Sequence, residues 1–426
     1  MDKRFFNIFN LTEEQAIALL KKPLAELEDR SERYVAASHL INFPTSRAIN
    51  ALIETIQDPN PELYHRIARR KAVESLGRLK AKEALPTIRA CLADEDVYTV
   101  ENAVWAIGEI GTENDSILAE IANLLEQPRQ NYRLIIQTLA KFNYQPALDR
   151  IKSLTDSEDE PTASTAIATV ARLTGDYSKI GRVVDFLQHS SVNARRACIQ
   201  DLIDAKYYPA LKDIAKCPVS IVFRLRGIRL LAEAGIGEGE INFAQVEPSL
   251  DRVIRDLPQD LEMVHEYDQK PSLEFLIREL YHTDFGRCYL ASQTLLEEYP
   301  QQAPEALMET YHAEAYNDYG AHYHVIKLFG WLQYQPAKEI IIEALHNTQP
   351  QFQKSRAAAA IALANLGATE TIPLIKNALT SSIFDLKYAC LLALEQLGDY
   401  SSCQIAVEDA DLLIKTKAKQ LGSFLN

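Results

Sequence analysis

AVESLG at residues 72–77 returns as AVWAIG at 103–108, then as ALANLG at 362–367 and ALEQLG at 393–398. Gly77 and Gly108 are 31 residues apart, and so are Gly367 and Gly398. Self-similarity at a fixed period of this size marks an array in which each repeat is one supersecondary unit. Small Ala and Gly residues at these points let neighbouring helices approach closely. The glycine can also end a helix in the left-handed conformation.

A second signal follows the first. AKEALPTI (81–88) and ATETIPLI (368–375) share Ala, Glu, Pro and Ile at matching places, and NYQPALDRI (143–151), KYYPALKDI (206–214) and QYQPAKEII (333–341) carry a comparable proline. Proline suits the first turn of a helix, where its missing N–H would have had no partner. Pro86, Pro146, Pro209, Pro336 and Pro373 are therefore read as the starts of second helices in successive helical hairpins. A lone hairpin cannot bury its apolar stripe, whereas stacked hairpins share one core, and about nine or ten are expected. The predicted fold is all-α, an α/α solenoid of the armadillo-like superhelix type. The stretch IGEGEINFAQVEPSLDRVIRDLPQDLE (236–262) breaks the pattern. Three segments are expected: a solenoid half at 1–235, an atypical helical segment at 236–320, and further repeats at 321–426.

Composition narrows the function. Of 426 residues 47% are hydrophobic and only 15 are glycine, which disfavours disorder, a Gly-rich nucleotide fold and a turn-rich β fold. Lys and Arg total 45 against 59 acids, and a net charge of −14 makes a poor general nucleic-acid binder. Cys91, Cys198, Cys217, Cys288, Cys390 and Cys403 form no C-x-x-C pair, so buried thiols in a reducing compartment are expected instead of a zinc ribbon or disulfide framework. MDKRFFNIFNLTEEQ has no long apolar run, and no stretch of about 18 apolar residues occurs elsewhere. A soluble, cytoplasmic protein without membrane insertion is expected.

Two clusters are candidates for chemistry. In LYHRIARRKAVESLG (63–77), helical spacing puts Arg66, Arg69 and Arg70 near one face with Tyr64, and in DVYTVENAVWAIGEIG (96–111) it makes Glu101 and Trp105 neighbours, with Tyr98 one turn earlier. An arginine fork pairs with carboxylates in bidentate fashion. The alternative is plain salt bridging to nearby acids. The second cluster spans 263–334, which holds nine of the 19 tyrosines and five of the nine histidines. Its densest piece, YHAEAYNDYGAHYH (311–324), contains His312, Tyr316, Asp318, Tyr319 and His322. Asn317, Asp318 and Gly320 read as a turn that presents Asp318 and Tyr319, an acid and a phenol able to move protons. Half-buried packing between helices is the competing fate of these tyrosines and histidines.

The repeats, YHRIARRKAVESLG and VYTVENAVWAIGEIG resemble the HEAT-repeat phycobilin lyases of the E/F class, above all the long single-chain branch serving the phycoerythrin α subunit. The likeness runs from about residue 31 to 400. It implies a lyase that binds a linear tetrapyrrole, phycoerythrobilin, and directs addition of a cysteine of the phycoerythrin α subunit to its ring A. Some members of that branch also isomerise the pigment to phycourobilin, and the residues do not separate the two versions. The bilin would be substrate, with no separate cofactor. The attacking cysteine would be the partner's, so no cysteine of this chain need be catalytic.

On this resemblance Asp318 is the first choice for the carboxylate that binds the pyrrole N–H groups, Glu101 the second, and Tyr319 would donate or relay a proton. Arg66, Arg69, Arg70, Tyr64, Tyr98, Trp105, His312, Tyr316 and His322 would bind the bilin. His322 and His324 form an H-x-H and His265–Glu266 is a lone His-Glu pair, so no catalytic metal is expected. Two rivals stand beside the lyase: a non-catalytic adaptor whose groove takes a protein helix, and a bilin chaperone.

Overall fold

A computed structural model describes residues 11–425, and every regular element among them is an α-helix or a 3-10 turn. The chain is an α/α solenoid of HEAT repeats in two compact units, residues 1–177 and 178–426. In the first unit Leu63–Arg78, Val97–Ile110, Tyr132–Lys141 and Glu160–Thr174 are successive first helices of hairpins and pack side by side. In the second unit the same role falls to Val192–Asp204, Ile221–Glu238, Phe285–Glu298, Tyr319–Trp331, Gln353–Asn365 and Phe384–Gln396. No helix among the described residues is long and apolar enough to cross a membrane.

One turn closes hairpin after hairpin. Lys80, Asn143, Lys206, Gln333, Gly367 and Gly398 all have φ between 51° and 79°, the left-handed region. The next residue's N–H reaches back five positions: Ala81 to Leu76 O (3.1 Å), Tyr144 to Leu139 O (3.0 Å), Tyr207 to Leu202 O (3.1 Å), Tyr334 to Phe329 O (3.0 Å), Ala368 to Leu363 O (3.2 Å) and Asp399 to Leu394 O (2.9 Å). These bonds satisfy carbonyls that a helix end otherwise leaves open. The prolines follow as expected, with a refinement. Pro86 and Pro373 sit in the first turn of Leu85–Ala90 and Ile372–Ala378, while Pro146, Pro209 and Pro336 lie in the short 3-10 turns Gln145–Ala147, Tyr208–Ala210 and Gln335–Ala337 just before.

The four glycines of the repeated hexapeptide are not equivalent. Gly367 and Gly398 occupy the left-handed turn, whereas Gly77 lies three residues before it, inside a helix. A Cβ on Gly77 would come within 2.8 Å of the Ala106 backbone, and one on Gly330 within 2.6 Å of Ala362. Gly77 and Gly330 therefore serve close helix approach, and Lys80 and Gln333 take the turn.

The expected segment boundaries shift as well. Phe243–Arg255 packs back on Ile221–Glu238, so no break falls at 235, and the boundary at 320 would cut the helix Tyr319–Trp331. The division by contacts lies at Tyr177.

The second unit has a polar node in its core. Asp256, in the left-handed region at φ 51°, is 1% exposed. It accepts from Arg224, from Tyr289 OH at 2.9 Å and from Tyr323 OH, with Lys327 Nζ at 3.4 Å. Burial works against its charge, but Lys327, Arg224 and the Tyr323 hydroxyl outweigh it and hold the carboxyl below its ordinary range. Above this node His324 is fully buried among Phe285, Tyr289 and Tyr323, with ring centres at 4.8, 5.2 and 5.3 Å, and neither ring nitrogen has a hydrogen-bond partner. His322 is 2% exposed and packs on Phe352 at 4.7 Å.

Two predictions follow from this core. Replacing Asp256 by Ala leaves Arg224 and Lys327 buried and unpaired, and should cost about 3–5 kcal/mol in urea unfolding, against about 1–2 kcal/mol for Tyr289→Phe. Burial pushes His322 down to about 4 and His324 to about 3, so the unfolded chain binds more protons in acid than the folded one. Stability from this pair is complete above pH ~6.5 and should fall progressively below it, until pH reaches about 4 for His322 and about 3 for His324, by on the order of 3–5 kcal/mol each. His324→Phe, which keeps the ring and removes the titration, should flatten that acid limb in urea-unfolding midpoints measured at pH 7, 5 and 4.

Candidate functional site

In the second unit the early turns of successive first helices line a cavity of about 770 Å³. Arg196 comes from Val192–Asp204, then Phe223, Arg226 and Arg229 from Ile221–Glu238, Phe285 and Tyr319 from the next two, Lys354 from Gln353–Asn365, and Phe384 and Asp385 from the last. These residues stand in the first two or three turns of their helices, so the stacking of repeats gathers side chains distant in sequence. Pockets of roughly 300–1,000 Å³ suit small organic ligands.

Buried ion pairs hold this rim. Arg195, without exposure, grips Asp284 at 2.6 and 2.8 Å, and His265 Nε2 lies 2.9 Å from the same carboxylate. Asp284 caps the helix that begins at Phe285 by accepting from Gly286 N–H at 2.8 Å. Burial raises the Asp284 carboxyl, but the bonds from Arg195, His265 and Gly286 overcome it and leave it below the usual range.

The charges lining the cavity differ in how far they are spent. Arg229 is neutralised by Glu233 (2.9 Å) and Asp411 (3.0 Å) while lying 3.9 Å over the Phe384 ring. Arg226 donates to the amide oxygen of Gln200, at 2.6 Å. Arg196 stacks 4.7 Å from the Phe223 ring, reaches the Thr283 carbonyl at 3.5 Å, and keeps a buried Nε without a partner. Neither Arg196 nor Arg226 has a carboxylate partner among the described residues. Asp385 also lines the cavity, its carboxyl raised by burial against its own and Leu386's backbone N–H and the charges of Arg229 and Arg356. This set can bind a flat, conjugated ligand bearing two carboxylates.

Of the expected acid–phenol pair, Tyr319 lines the cavity, 55% exposed, with Lys354 Nζ 4.7 Å from its ring centre. Asp318 stands at the N-cap of Tyr319–Trp331, not in the lining. Its Oδ1 is occupied by Gly320 N–H at 2.9 Å and Ala321 N–H at 2.7 Å. Tyr316 and His312 are exposed but outside the cavity lining. His322 corrects the sequence reading, because it is buried in ring packing and does not face a ligand.

The first cluster belongs to the first unit. There the bland alternative holds for two arginines: Arg69 pairs with Asp94 at 3.3 Å, and Arg70 grips Asp96 at 2.6 and 2.7 Å while covering the Tyr98 ring at 4.6 Å. Tyr64 is half-buried beside Arg30, and Arg66 keeps a buried Nε without a partner. Glu101 and Trp105 do meet, in a hollow of about 340 Å³ with Asn102, Asn131 and Gln137, where Glu101 accepts from Asn131 at 3.0 Å.

Arg196, Phe223, Arg226, Phe285, Lys354, Phe384 and Asp385 were not singled out by the sequence. FRLRGIR (223–229) held the signal, with two of its arginines one turn apart beside an aromatic. All six cysteines are buried, and burial pushes the thiols of Cys91, Cys217, Cys288 and Cys403 up to between about 11 and about 12. Such thiols are poor nucleophiles.

Comparison with known proteins places this architecture. A HEAT-repeat family model matches residues 63–126, and one for the PBS lyase HEAT-like repeat matches 355–381. The chain is similar to the uncharacterized phycocyanin operon protein Y of Pseudanabaena tenuis, 58% identical over 98% of this chain and 99% of that one. It is 34% identical to the bilin biosynthesis protein CpeY of a Synechococcus species, over 91% and 94% of the two chains. It is 30% identical to the phycocyanobilin lyase subunit alpha of Synechococcus elongatus, over 48% of this chain and 80% of that one. With likeness running along nearly all of the first two relatives, the chain belongs to the HEAT-repeat phycobilin lyase family.

Proposed function

We propose that this protein attaches phycoerythrobilin through a thioether to a cysteine of a phycoerythrin α subunit. The observation that carries the reading is the 770 Å³ cavity, in which Arg196 and Arg226 stand without carboxylate partners among aromatic faces. A bilin brings two propionates and a long conjugated plane. The arginine forks take the propionates, Phe223, Phe285, Tyr319 and Phe384 flank the plane, and Asp385 accepts from the pyrrole N–H groups. That last role moves from Asp318, the first choice on sequence, to a carboxyl that lines the cavity. The relatives' names, a bilin biosynthesis protein and a phycocyanobilin lyase subunit, support the same class of chemistry.

The reaction is an addition. The partner's sulfur bonds to the ethylidene carbon of ring A, the C=C π bond opens, and the thiol proton ends on the pigment, so no oxidant and no leaving group are needed. Holding thiol and pigment together turns a bimolecular step into an effectively unimolecular one, worth up to ~7–11 kcal/mol in well-oriented cases. For the isomerising version, Tyr319 is the phenol placed to donate a proton at the cavity edge.

Co-expression with phycoerythrobilin-synthesis enzymes and an α subunit should give a purified subunit with covalent, zinc-fluorescent pigment. Absence of covalent pigment, despite bilin supply and soluble subunit, would overturn the reading, and pigment bound to this chain but never transferred would make it a carrier. Absorbance of the product near bound phycourobilin instead of phycoerythrobilin would identify the isomerase. In titrations with free phycoerythrobilin, Arg196→Ala and Arg226→Ala should each weaken binding by about tenfold to a hundredfold, as expected for lost bonds between charged groups. Arg69→Ala and Arg70→Ala, whose charges are already paired, should leave it unchanged.

A further inference from the structure

Lys354 is the anomalous charge of the cavity. It is the second residue of Gln353–Asn365, only 9% exposed, and lines the hollow beside Phe285 and Tyr319. Its Nζ lies 4.3 Å from the Phe285 ring centre, 4.7 Å from Tyr319 and 5.3 Å from Tyr323. An ammonium carries three N–H donors, yet Lys354 makes no hydrogen bond or ion pair among the described residues. Lys327, the other deeply buried lysine nearby, donates to the Arg255 carbonyl at 2.6 Å and sits 3.4 Å from Asp256, so its charge is engaged.

Three ring faces hold an ammonium weakly, and two features oppose it. Burial strips its water, and its place in the first turn sets it against the positive end of the helix. The groups that act on it from the surrounding elements are Cys288, Asp318 and Asp256, which favour its charge, with the phenols Tyr319 and Tyr323 and the imidazoles His322 and His324. Both imidazoles are neutral above pH ~5 and Cys288 stays a thiol, so Asp318 and Asp256 are the opposing charges. Burial prevails, and the amine is lowered to about 8. On the order of a tenth of the molecules then carry a neutral amine at pH 7.

We propose that Lys354 is the proton carrier of the addition, taking the proton from the partner's thiol as sulfur bonds to the ethylidene carbon and returning it to ring A. This assignment rests on the bilin reading of the cavity. The neutral amine accepts the thiol proton, the C–S bond forms as the C=C π pair moves into the pigment, and the resulting ammonium protonates the ring carbon. Lys354 ends as it began, and atoms and electrons balance without a co-reactant. The other candidates fit less well: Asp318 spends one oxygen on its helix cap, and Asp385 lies beside Arg229 as an acceptor for pyrrole N–H.

The test separates binding from transfer. With purified full-length protein, phycoerythrobilin and apo-α subunit, non-covalent bilin binding is titrated by absorbance, and single-turnover attachment is followed from pH 6 to 9.5. Wild-type attachment should rise with pH to a plateau above about 8. Lys354→Ala and Lys354→Arg should bind bilin within about threefold of wild type but attach it on the order of 10²-fold more slowly. Added ethylamine should rescue Lys354→Ala in proportion to free amine, and should not rescue Lys354→Arg. A wild-type rate in Lys354→Arg, or Lys354→Ala that binds bilin but is not rescued by amines, overturns the assignment while leaving the bilin reading intact. A wild-type chain that binds no bilin overturns both. As a check independent of any variant, acetic anhydride labelling of the wild type mapped by mass spectrometry should give Lys354 a midpoint near 8. A midpoint with the exposed lysines, roughly 10.4, also overturns it.

Discussion

A carboxylate sealed from water is costly to keep ionised, and the second unit is organised around one that is. Asp256 is tolerable there because Arg224, Lys327, Tyr289 and Tyr323 all converge on it. Those four partners come from three successive first helices, Ile221–Glu238, Phe285–Glu298 and Tyr319–Trp331. Hydrophobic stacking alone would let such helices slide by a fraction of a turn. A buried charge with directional partners fixes their register, and the same helices carry Phe223, Arg226, Phe285 and Tyr319 to the cavity a turn or two away.

The cavity thus inherits its geometry from a node it does not contain. Arg195 and Asp284 add a second fixed point by anchoring the start of the Phe285 helix. Between these anchors the lining charges are graded. Arg229 is fully spent, Arg226 and Arg196 are partly solvated by neutral acceptors, and Lys354 lies against three rings.

What the sequence disclosed follows from how local each signal is. Proline at a helix start and the small-residue hexapeptides obey rules spanning a few residues: Pro86 and Pro373 open second helices, and Pro146, Pro209 and Pro336 lie in the 3-10 turns immediately before them. The family resemblance was legible for the same reason. The site was only partly so. Arg69 and Arg70 looked available because their partners, Asp94 and Asp96, arrive from the start of the next hairpin. His322 and His324 were rich in chemical meaning as letters and are buried ring packing in fact. Tyr319 reaches the cavity, but Arg196, Lys354 and Asp385 meet it only because stacked repeats bring the early turns of their helices together, a relation with no local trace.

The hairpin turns have a use beyond architecture. Gly239, Gly367 and Gly398 fill the left-handed position with the residue that adopts it freely, while Lys80, Asn143, Lys206 and Gln333 are held there by the backbone bond behind them. A side chain in that conformation costs on the order of 1 kcal/mol, so each of these four joints stores a little unfavourable energy remote from the cavity. The array could therefore be toughened joint by joint, by writing glycine into its elbows, without touching a residue that lines the cavity.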